Sequence, residues 1–522
     1  MILNHAIFSL QVVIEDSCEP PRLQIHVLSL LGFCSKSQSK LFKMPSNPLL
    51  LVLSLVGLLA GSTNGETVLG AVVFTRHGDR TTKHYGAQAL TNLGASQCFQ
   101  SGSDYRARYI AAGSPHRIQG ISEFKYDSTQ VYATAPNQGI LLNTATSFLQ
   151  GLYPPLMELN PDVASQTLND GSESTSPLNG YQYVSLMGTS SNSPDTIWIK
   201  GDDACPAYTT ASDSFLSSTE YQTTLDSTRD FYQSLFPLLQ SVPDISSASS
   251  LSYAKAFDIY DLLNVAAIHN ASQTQPSPEQ LFQLRTLADS AEFHLNYNTT
   301  QPARSIHAST LAGAILSQLN KTVSSAGKKG PKFSLFAGSY DTMVAFFGLT
   351  NLTSASPDFY GLPGYASTMA FELYTSLSVD SSSTFPDEQD LNVRFLFRNG
   401  TEGELQSFPL FGTGSQERES LSWGEFKEGI RQRAITTVEK WCGACESDAD
   451  FCKAYAVDSQ VESKRNGGGV SNAVAGVIGA MVTLGVVAVV GAVVFMVMRR
   501  RRQAGTNTAT KDKGSLRSLS SV

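Results

Sequence analysis

The feature that most restricts the fold of this chain is residues 473–498, a run of 26 residues without a charge. As a helix, this run would extend about 39 Å at 1.5 Å per residue, which is enough to cross a hydrocarbon core of roughly 30 Å. Four arginines at residues 499–502 follow directly. Because cytoplasmic flanks are rich in Lys and Arg, we predict one transmembrane helix followed by a basic cytoplasmic tail, residues 499–522.

A second apolar segment, residues 49–60, lies near the N-terminus and is too short to span a bilayer. Small polar residues at 61–65 follow it, an order that is typical of a secretory signal peptide. We therefore predict a signal peptide over residues 44–65. Residues 1–43 form a leader extension that contains no motif we can interpret.

Five Asn-x-Ser/Thr acceptor sites lie between the two apolar segments, and the tail contains none. Such sites are glycosylated in lumenal or extracellular segments. The acceptors are Asn270, Asn298, Asn320, Asn351 and Asn399. We expect a single-pass type I membrane protein of the secretory pathway, at the cell surface or the vacuolar membrane. Residues 66–455 would be its extracytoplasmic domain and residues 456–472 its stalk.

The net charge of −8 is unevenly distributed. The tail is strongly basic and residues 1–43 are nearly neutral, which leaves about −15 for the region between them. Nucleic acid is therefore not an expected partner, since a phosphate backbone requires a basic face. A local arginine pocket in an acidic domain remains compatible with binding of a phosphate group.

Five of the seven cysteines lie outside the leader, and two of them, Cys442 and Cys445, form a CxxC motif. This motif also occurs in metal half-sites and redox centres. The chain has no second CxxC to complete a zinc site and no thioredoxin-like context around this one. We expect structural disulfides, no metal site, and one cysteine left over.

One short apolar run, residues 68–74, leads directly into Arg76, His77, Gly78 and Arg80. Its β-branched composition predicts a strand that is buried on both faces. Two guanidinium groups can hold phosphate oxygens, and an imidazole between them can attack phosphorus. The alternative is a strand-end histidine with two solvated arginines, and this motif alone does not decide between them.

The spacing of apolar residues also predicts elements further along the chain. We predict helices at 141–152 and 304–319, and strands at 333–336, 368–374 and 391–397. Residues 155–300 combine polar turns with helical stretches. This pattern indicates a mainly helical cap inserted into an α/β core.

Several motifs together resemble the histidine acid phosphatases, branch 2 of the histidine phosphatase superfamily, and especially their fungal membrane-anchored members. The motifs are RHGDR at 76–80, LTNLGASQ at 90–97, RARY at 106–109, GLYPP at 151–155, SYDT at 339–342, LFG at 410–412 and SW at 422–423. The resemblance covers most of residues 66–455. It implies a three-layer α/β/α core of the phosphoglycerate mutase type, with the cap inserted at roughly 155–300.

The resemblance also implies a two-step hydrolysis of phosphomonoesters without metal or cofactor. His77 would be the nucleophile, Arg76 and Arg80 would hold the phosphate, and Asp341 would protonate the leaving oxygen. Tyr340 would contact the phosphate beside them. An acid in the role of Asp341 must hold its proton at the working pH, which fits an acidic compartment.

Three cationic positions of the family pattern are replaced in this chain. Tyr340 stands where the family has histidine, and Thr134 and Ile140 stand where it has arginines. A phenol can donate a hydrogen bond but carries no positive charge near neutral pH. Losing one transition-state donor typically costs about 10²–10³ in rate.

Two functions therefore remain open for the domain. One is an acid phosphatase-type hydrolase that acts through a phosphohistidine intermediate. The other is a catalytically impaired homologue that binds or senses a phospho-ligand at the membrane. They differ in whether other residues complete the cationic pocket. The candidates, each of which is also explained as a surface or packing residue, are His84, His116, His307 and Arg304.

Overall fold

The computed structural model describes residues 65–270, 274–379, 384–412 and 419–455. The predicted leader extension, stalk, transmembrane helix and tail lie outside these residues, as does the signal peptide apart from its last residue. Among the described residues, no helix combines the length and the apolar character needed to cross a bilayer.

The described residues contain ten strands, eight of which form one mixed sheet. The strands are β1 (Thr67–Arg76), β2 (Val131–Pro136), β3 (Ser165–Thr167), β4 (Glu173–Thr175), β5 (Met187–Thr189), β6 (Phe333–Gly338), β7 (Thr368–Thr375), β8 (Leu391–Arg398), β9 (Gln406–Ser407) and β10 (Ser420–Ser422). Their order across the sheet is β10-β8-β7-β1-β6-β2-β5, with β9 paired to β8. β1 runs parallel to β6 and antiparallel to β7, while β3 and β4 form a separate hairpin.

Ten helices of eight residues or more accompany the strands in the described part of the chain. They are α1 (Asn92–Tyr109), α2 (Gly139–Leu152), α3 (Pro206–Leu216), α4 (Thr219–Ser227), α5 (Ala256–His269), α6 (Pro278–Asn296), α7 (Ile306–Ser324), α8 (Tyr340–Leu349), α9 (Trp423–Arg431) and α10 (Val438–Cys445). Shorter helical turns occur at Leu156–Leu159, Pro161–Ala164, Pro177–Gly180, Arg229–Ser234 and Phe236–Leu239, and a 3-10 turn at Lys83–Tyr85.

Strand β1 is buried on both faces because helices cover the sheet on each side. Val72 and Phe74 pack in an apolar cluster with α7, α8 and α9. Ala71 and Val73 pack in a second cluster with α1 and α2. Alternate residues of a strand point to opposite faces, so one continuous apolar run serves both clusters. The predicted mixed α/β fold with a central buried strand is confirmed.

The helices between β5 and α7 have an apolar cluster of their own. Phe215, Tyr232, Leu263 and Leu284 belong to this cluster, which brings α3, α5 and α6 together. The earlier part of the predicted cap is less helical, since β5 pairs with β2 at one edge of the central sheet. The helical cluster thus begins near Pro206, while a cap domain over 155–300 stays a prediction.

The described residues contain two disulfides, Cys205–Cys445 and Cys442–Cys452. The prediction of disulfides is confirmed, and the two cysteines of the CxxC motif bond to different partners. Cys98 is the remaining cysteine of the domain, and it is a buried thiol. The longer disulfide joins the residue before α3 to the end of α10.

Candidate active site

The carboxyl end of the central strand β1 carries Arg76 and His77. The backbone N–H of His77 donates to the carbonyl of Gly338 at the end of β6 (3.2 Å). Its own carbonyl accepts from the N–H of Ala366 (3.0 Å), just before β7. Both neighbouring strands therefore fix the backbone of His77. The carboxyl ends of parallel strands are a common location for binding sites in α/β proteins.

The loop after His77 packs directly against the start of α1. A Cβ atom on Gly78 would lie 2.2 Å from the carbonyl oxygen of Gly94, and one on Gly94 would lie 2.0 Å from that of Asp79. Only glycine allows the two backbones to come this close. The glycine of the RHGDR motif and that of the LTNLGASQ motif are therefore both needed for this backbone contact.

The His77 side chain is 2% exposed. Its Nδ1 atom lies 2.9 Å from the carbonyl oxygen of Gly78, which only accepts hydrogen bonds, so we assign the proton to Nδ1. The lone pair is then on Nε2. Burial, followed by the charges of Arg76 and Arg80, holds the pKa of His77 well below its usual range. The imidazole is therefore neutral in mildly acidic solution and can act as a nucleophile through Nε2.

The guanidinium of Arg76 lies between two tyrosine rings. Its central carbon is 4.7 Å from the ring centroid of Tyr365 and 5.2 Å from that of Tyr340. Nη1 donates to the carbonyl of Pro363. Its buried Nε–H has no acceptor among the described residues. Burial is the main cause that lowers the pKa of Arg76, to about 10, so this side chain stays charged in acid.

Arg80 is fully buried and forms an ion pair with Asp261 of α5. Its Nη1 donates to Oδ2 of Asp261 (3.1 Å), and its Nη2 lies 3.0 Å from Oδ1. The same carboxylate accepts from Thr82 Oγ1 and from the backbone N–H of Lys83, both at 2.8 Å. The Nε–H of Arg80 lacks an acceptor within the described ranges. Helix α5 thus neutralises one of the two arginines.

Lys83 contributes a third cation that the sequence analysis missed. Its Nζ donates to the hydroxyl of Tyr340 (3.2 Å) and lies over the rings of Tyr340 and Phe257, 4.8 Å and 4.9 Å from their centroids. Burial lowers the pKa of Lys83. Its charge contributes in turn to the low pKa of His77. A lysine three residues after the RHGDR motif was the signal available in the sequence.

Asp341, the expected acid, is engaged by a different cation. Its Oδ2 lies 3.7 Å from Nζ of Lys200, and its Oδ1 accepts from the N–H of Thr342 (2.8 Å). Burial alone would raise the pKa of Asp341, but Lys200 and then His307 and Lys83 outweigh it and hold this pKa well below its usual range. These surroundings favour the ionised form of Asp341, and its role as the acid that protonates the leaving oxygen stays a prediction.

The other sequence candidates contact groups outside the His77 environment. Ile140 packs in the apolar cluster of α1 and α2. Thr134 donates to a backbone carbonyl of β5. Arg304 donates to the backbone carbonyls of Ala211 and His294. His84 contacts the carboxylates of Asp244 and Asp258. His307 is buried beside the ring of Tyr208, and it contributes to the lowered pKa of Asp341. His116 is half-buried near charges of β7 and β8.

A cavity of about 430 Å³ borders two of these residues, Lys83 and Tyr340. Its wall also includes Phe257 of α5 and Glu292 of α6. No group of three or more His, Cys, Asp or Glu side chains in the described part of the chain is arranged to hold a metal ion.

Taken together, these contacts bring Arg76, His77, Arg80 and Tyr340 into one site and add Lys83 and Asp261 to it.

The sequence of residues 82–398 matches the family model for the histidine phosphatase superfamily, branch 2. This region exceeds half of the chain, and the protein therefore belongs to that superfamily, which confirms the resemblance of its motifs. No curated protein matches the chain in sequence.

Several solved structures are similar to the chain at low sequence identity. The phytase of Citrobacter braakii has 13% identity and a TM-score of 0.48, over 73% of this chain and 99% of that one. The phytase of Klebsiella sp. ASR1 has 14% identity and a TM-score of 0.45, over 71% and 96%. A multiple inositol polyphosphate phosphatase of Bifidobacterium longum, in complex with inositol hexasulfate, has 14% identity and a TM-score of 0.43, over 73% and 96%.

Proposed function

We propose that this protein is a phosphatase that hydrolyses phosphomonoesters with His77 as the nucleophile. The observation that carries the proposal is the buried imidazole of His77 in one short segment with two buried arginines, Arg76 and Arg80. The Nε–H groups of Arg76 and Arg80 have no acceptor among the described residues. Buried donors without acceptors are costly, and the oxygens of a phosphoryl group are suitable acceptors for them. Membership of the phosphatase superfamily supports the same reaction class.

The reaction would proceed in two displacements at phosphorus. In the first, Nε2 of His77 forms a bond to phosphorus while the bond to the leaving oxygen breaks, and that oxygen takes a proton from an acidic side chain or from solvent and departs as the alcohol. In the second, water attacks phosphorus, the bond to Nε2 breaks, and inorganic phosphate leaves. The positive charges of Arg76, Arg80 and Lys83 would stabilise the phosphoryl oxygens in both transition states.

A phospho-ligand binding protein without turnover is the second candidate, and one observation favours it. Asp261 already neutralises Arg80, and the tyrosine at position 340 adds no charge. The pocket therefore has less net positive charge than three cations alone would give. Such a site would still hold a phosphate group through Arg76 and Lys83.

We further propose that the domain is extracytoplasmic and attached to a membrane by residues 473–498. Two disulfides in one domain are typical of an oxidising compartment. Four of the five glycan acceptors have exposed side chains, and Asn298 is half-buried. The exposure of these four side chains is compatible with the predicted N-glycans.

The pH dependence of turnover tests the enzyme proposal. Because the pKa of His77 is lowered, its nucleophilic neutral form persists when the pH falls below about 6.5, the usual pKa of a histidine. We expect kcat/KM of the full chain for p-nitrophenyl phosphate to be at least as high at about pH 4.5 as at about pH 6.5. A histidine with an ordinary pKa would be only about 1% neutral at the lower pH, so a fall of about 100-fold would contradict the assignment. The absence of phosphate release at every pH would contradict the proposed function.

A further inference from the structure

Arg76 and Arg80 differ in what surrounds their charges. The guanidinium of Arg80 forms an ion pair with the carboxylate of Asp261. Arg76 is 6% exposed, and no carboxylate in the described part of the chain forms an ion pair with it. A buried charge without a counter-ion is costly unless other groups stabilise it. Groups other than carboxylates must therefore stabilise the charge of Arg76.

Two tyrosine rings contact the guanidinium of Arg76. Its central carbon lies 4.7 Å from the ring centroid of Tyr365 and 5.2 Å from that of Tyr340. The face of an aromatic ring attracts a cation within about 6 Å, and the attraction is larger where water is excluded. A neutral phenol, unlike a carboxylate, does not cancel the positive charge. The two rings therefore stabilise the guanidinium and leave its full charge available to a bound phosphate.

The two rings differ in their other contacts. Tyr340 is 3% exposed, and Nζ of Lys83 lies 4.8 Å from its ring centroid, so this ring faces two cations. Tyr365 is half-buried, and its ring centroid lies 5.9 Å from that of the His77 imidazole. Tyr365 therefore contacts both the proposed nucleophile and the arginine beside it.

The backbone around Tyr365 is fixed to the segment that carries His77. The N–H of Ala366 donates to the carbonyl of His77 (3.0 Å). The carbonyl of Pro363 accepts a hydrogen bond from Nη1 of Arg76. Ala366 has a φ of 56°, a left-handed conformation that is unfavourable for a residue with a Cβ atom. Such conformations persist where neighbouring contacts enforce them, and they are frequent at functional sites. This loop therefore keeps Tyr365 in one position beside Arg76.

We propose that Tyr365 is a positioning residue that holds the guanidinium of Arg76 for phosphate binding and stabilises its charge without neutralising it. This inference depends on the proposed phosphate site at His77. The Nε–H of Arg76 has no acceptor within the described ranges and would donate to a phosphoryl oxygen. Of the two arginines, Arg76 then supplies the larger share of the charge that binds phosphate, because Asp261 balances the charge of Arg80.

Binding of inorganic phosphate to two variants of the full chain tests this role. Tyr365→Leu removes the aromatic face but keeps an apolar side chain, whereas Tyr365→Phe keeps the face and removes only the hydroxyl. We expect Tyr365→Leu to raise the Kd for phosphate, measured by calorimetry, by about tenfold, a loss that cation–π attraction in a water-shielded site can produce. Tyr365→Phe should bind phosphate at least about threefold more tightly than Tyr365→Leu. Calorimetry also gives the stoichiometry, so a smaller folded fraction does not alter the Kd.

A double-mutant cycle tests whether Tyr365 acts through Arg76. In an Arg76→Gln background the ring has no guanidinium to stabilise, so the addition of Tyr365→Leu should change the Kd by less than about twofold. A merely structural role would give the full loss in that background as well. The matched control is Tyr360→Leu, because Tyr360 is 50% exposed in the same connection before β7 and its ring contacts Phe293. We expect this control to bind phosphate as the wild type does.

Three results would overturn the inference and leave the proposed hydrolysis intact. They are an unchanged Kd in Tyr365→Leu, an equal loss in Tyr365→Phe, and the full loss in the Arg76→Gln background. A wild type that binds phosphate without turnover would contradict the hydrolysis and leave this inference intact. A wild type that does not bind phosphate would remove both the proposed phosphate site and this inference.

Discussion

Replacement of His77 by alanine is expected to reduce phosphomonoester hydrolysis by about 10⁴-fold or more. The substitution removes the atom that bonds to phosphorus, and loss of a nucleophile typically eliminates most of the catalytic advantage of a site. Arg76, Arg80 and Lys83 remain, so the affinity for inorganic phosphate should change much less than kcat. The measurement is kcat from steady-state hydrolysis of p-nitrophenyl phosphate, together with phosphate binding by calorimetry.

His116→Ala is the matched control, since this half-buried histidine lies near charges of β7 and β8 and not in the His77 group. We expect its kcat to equal that of the wild type. A His77→Ala rate within tenfold of the wild type would eliminate the nucleophile assignment. If neither the wild type nor the His77→Ala protein hydrolyses substrate but both bind phosphate, the protein is a phosphate-binding protein without turnover.

Removal of the Cys205–Cys445 disulfide by a double alanine substitution should lower the free energy of unfolding by about 5 kcal/mol. This disulfide closes a loop of 240 residues, and the chain-entropy cost of closing a loop grows with its length. The Cys442–Cys452 disulfide closes only 10 residues, so its removal should cost about 3 kcal/mol. Urea unfolding followed by tryptophan fluorescence gives both values from the midpoint and the slope.

The shorter disulfide serves as the matched control, because both pairs occupy one cluster around Trp441 and each double variant removes the same number of sulfur atoms. An equal loss in the two variants, or a larger loss for the shorter loop, would contradict the loop-entropy explanation. The second result would indicate that packing near Cys442 dominates instead.

Much of the fold was predictable because its central elements carry strong local signals. Residues 68–74 and 391–397 are short runs rich in β-branched or aromatic side chains, and the structure has strands at Thr67–Arg76 and Leu391–Arg398. The connection before α3 was less predictable. The strand β5 is only three residues long, and its pairing with β2 depends on the tertiary structure.

The candidate site was predictable where its residues are adjacent in sequence, as in the pair of arginines around His77. The remaining members come from distant segments. Asp261 contacts Arg80, which is 181 positions away in the sequence, and Tyr340 contacts Lys83, which is 257 positions away. Only the tertiary packing of the chain brings each pair together. The contact of Asp341 with Lys200 was also beyond local prediction, because the two residues lie far apart in the chain.

Transfer of the phosphoryl group to Nε2 of His77 is the central claim, and covalent labelling tests it most directly. The full chain would be mixed with a substrate that carries radioactive phosphorus and quenched in alkali, which preserves phosphohistidine. Peptide mapping of the quenched protein would then locate the label. We predict label in the peptide that contains His77 and none in the His77→Ala protein. Turnover without a labelled protein, or label confined to another peptide, would contradict the mechanism.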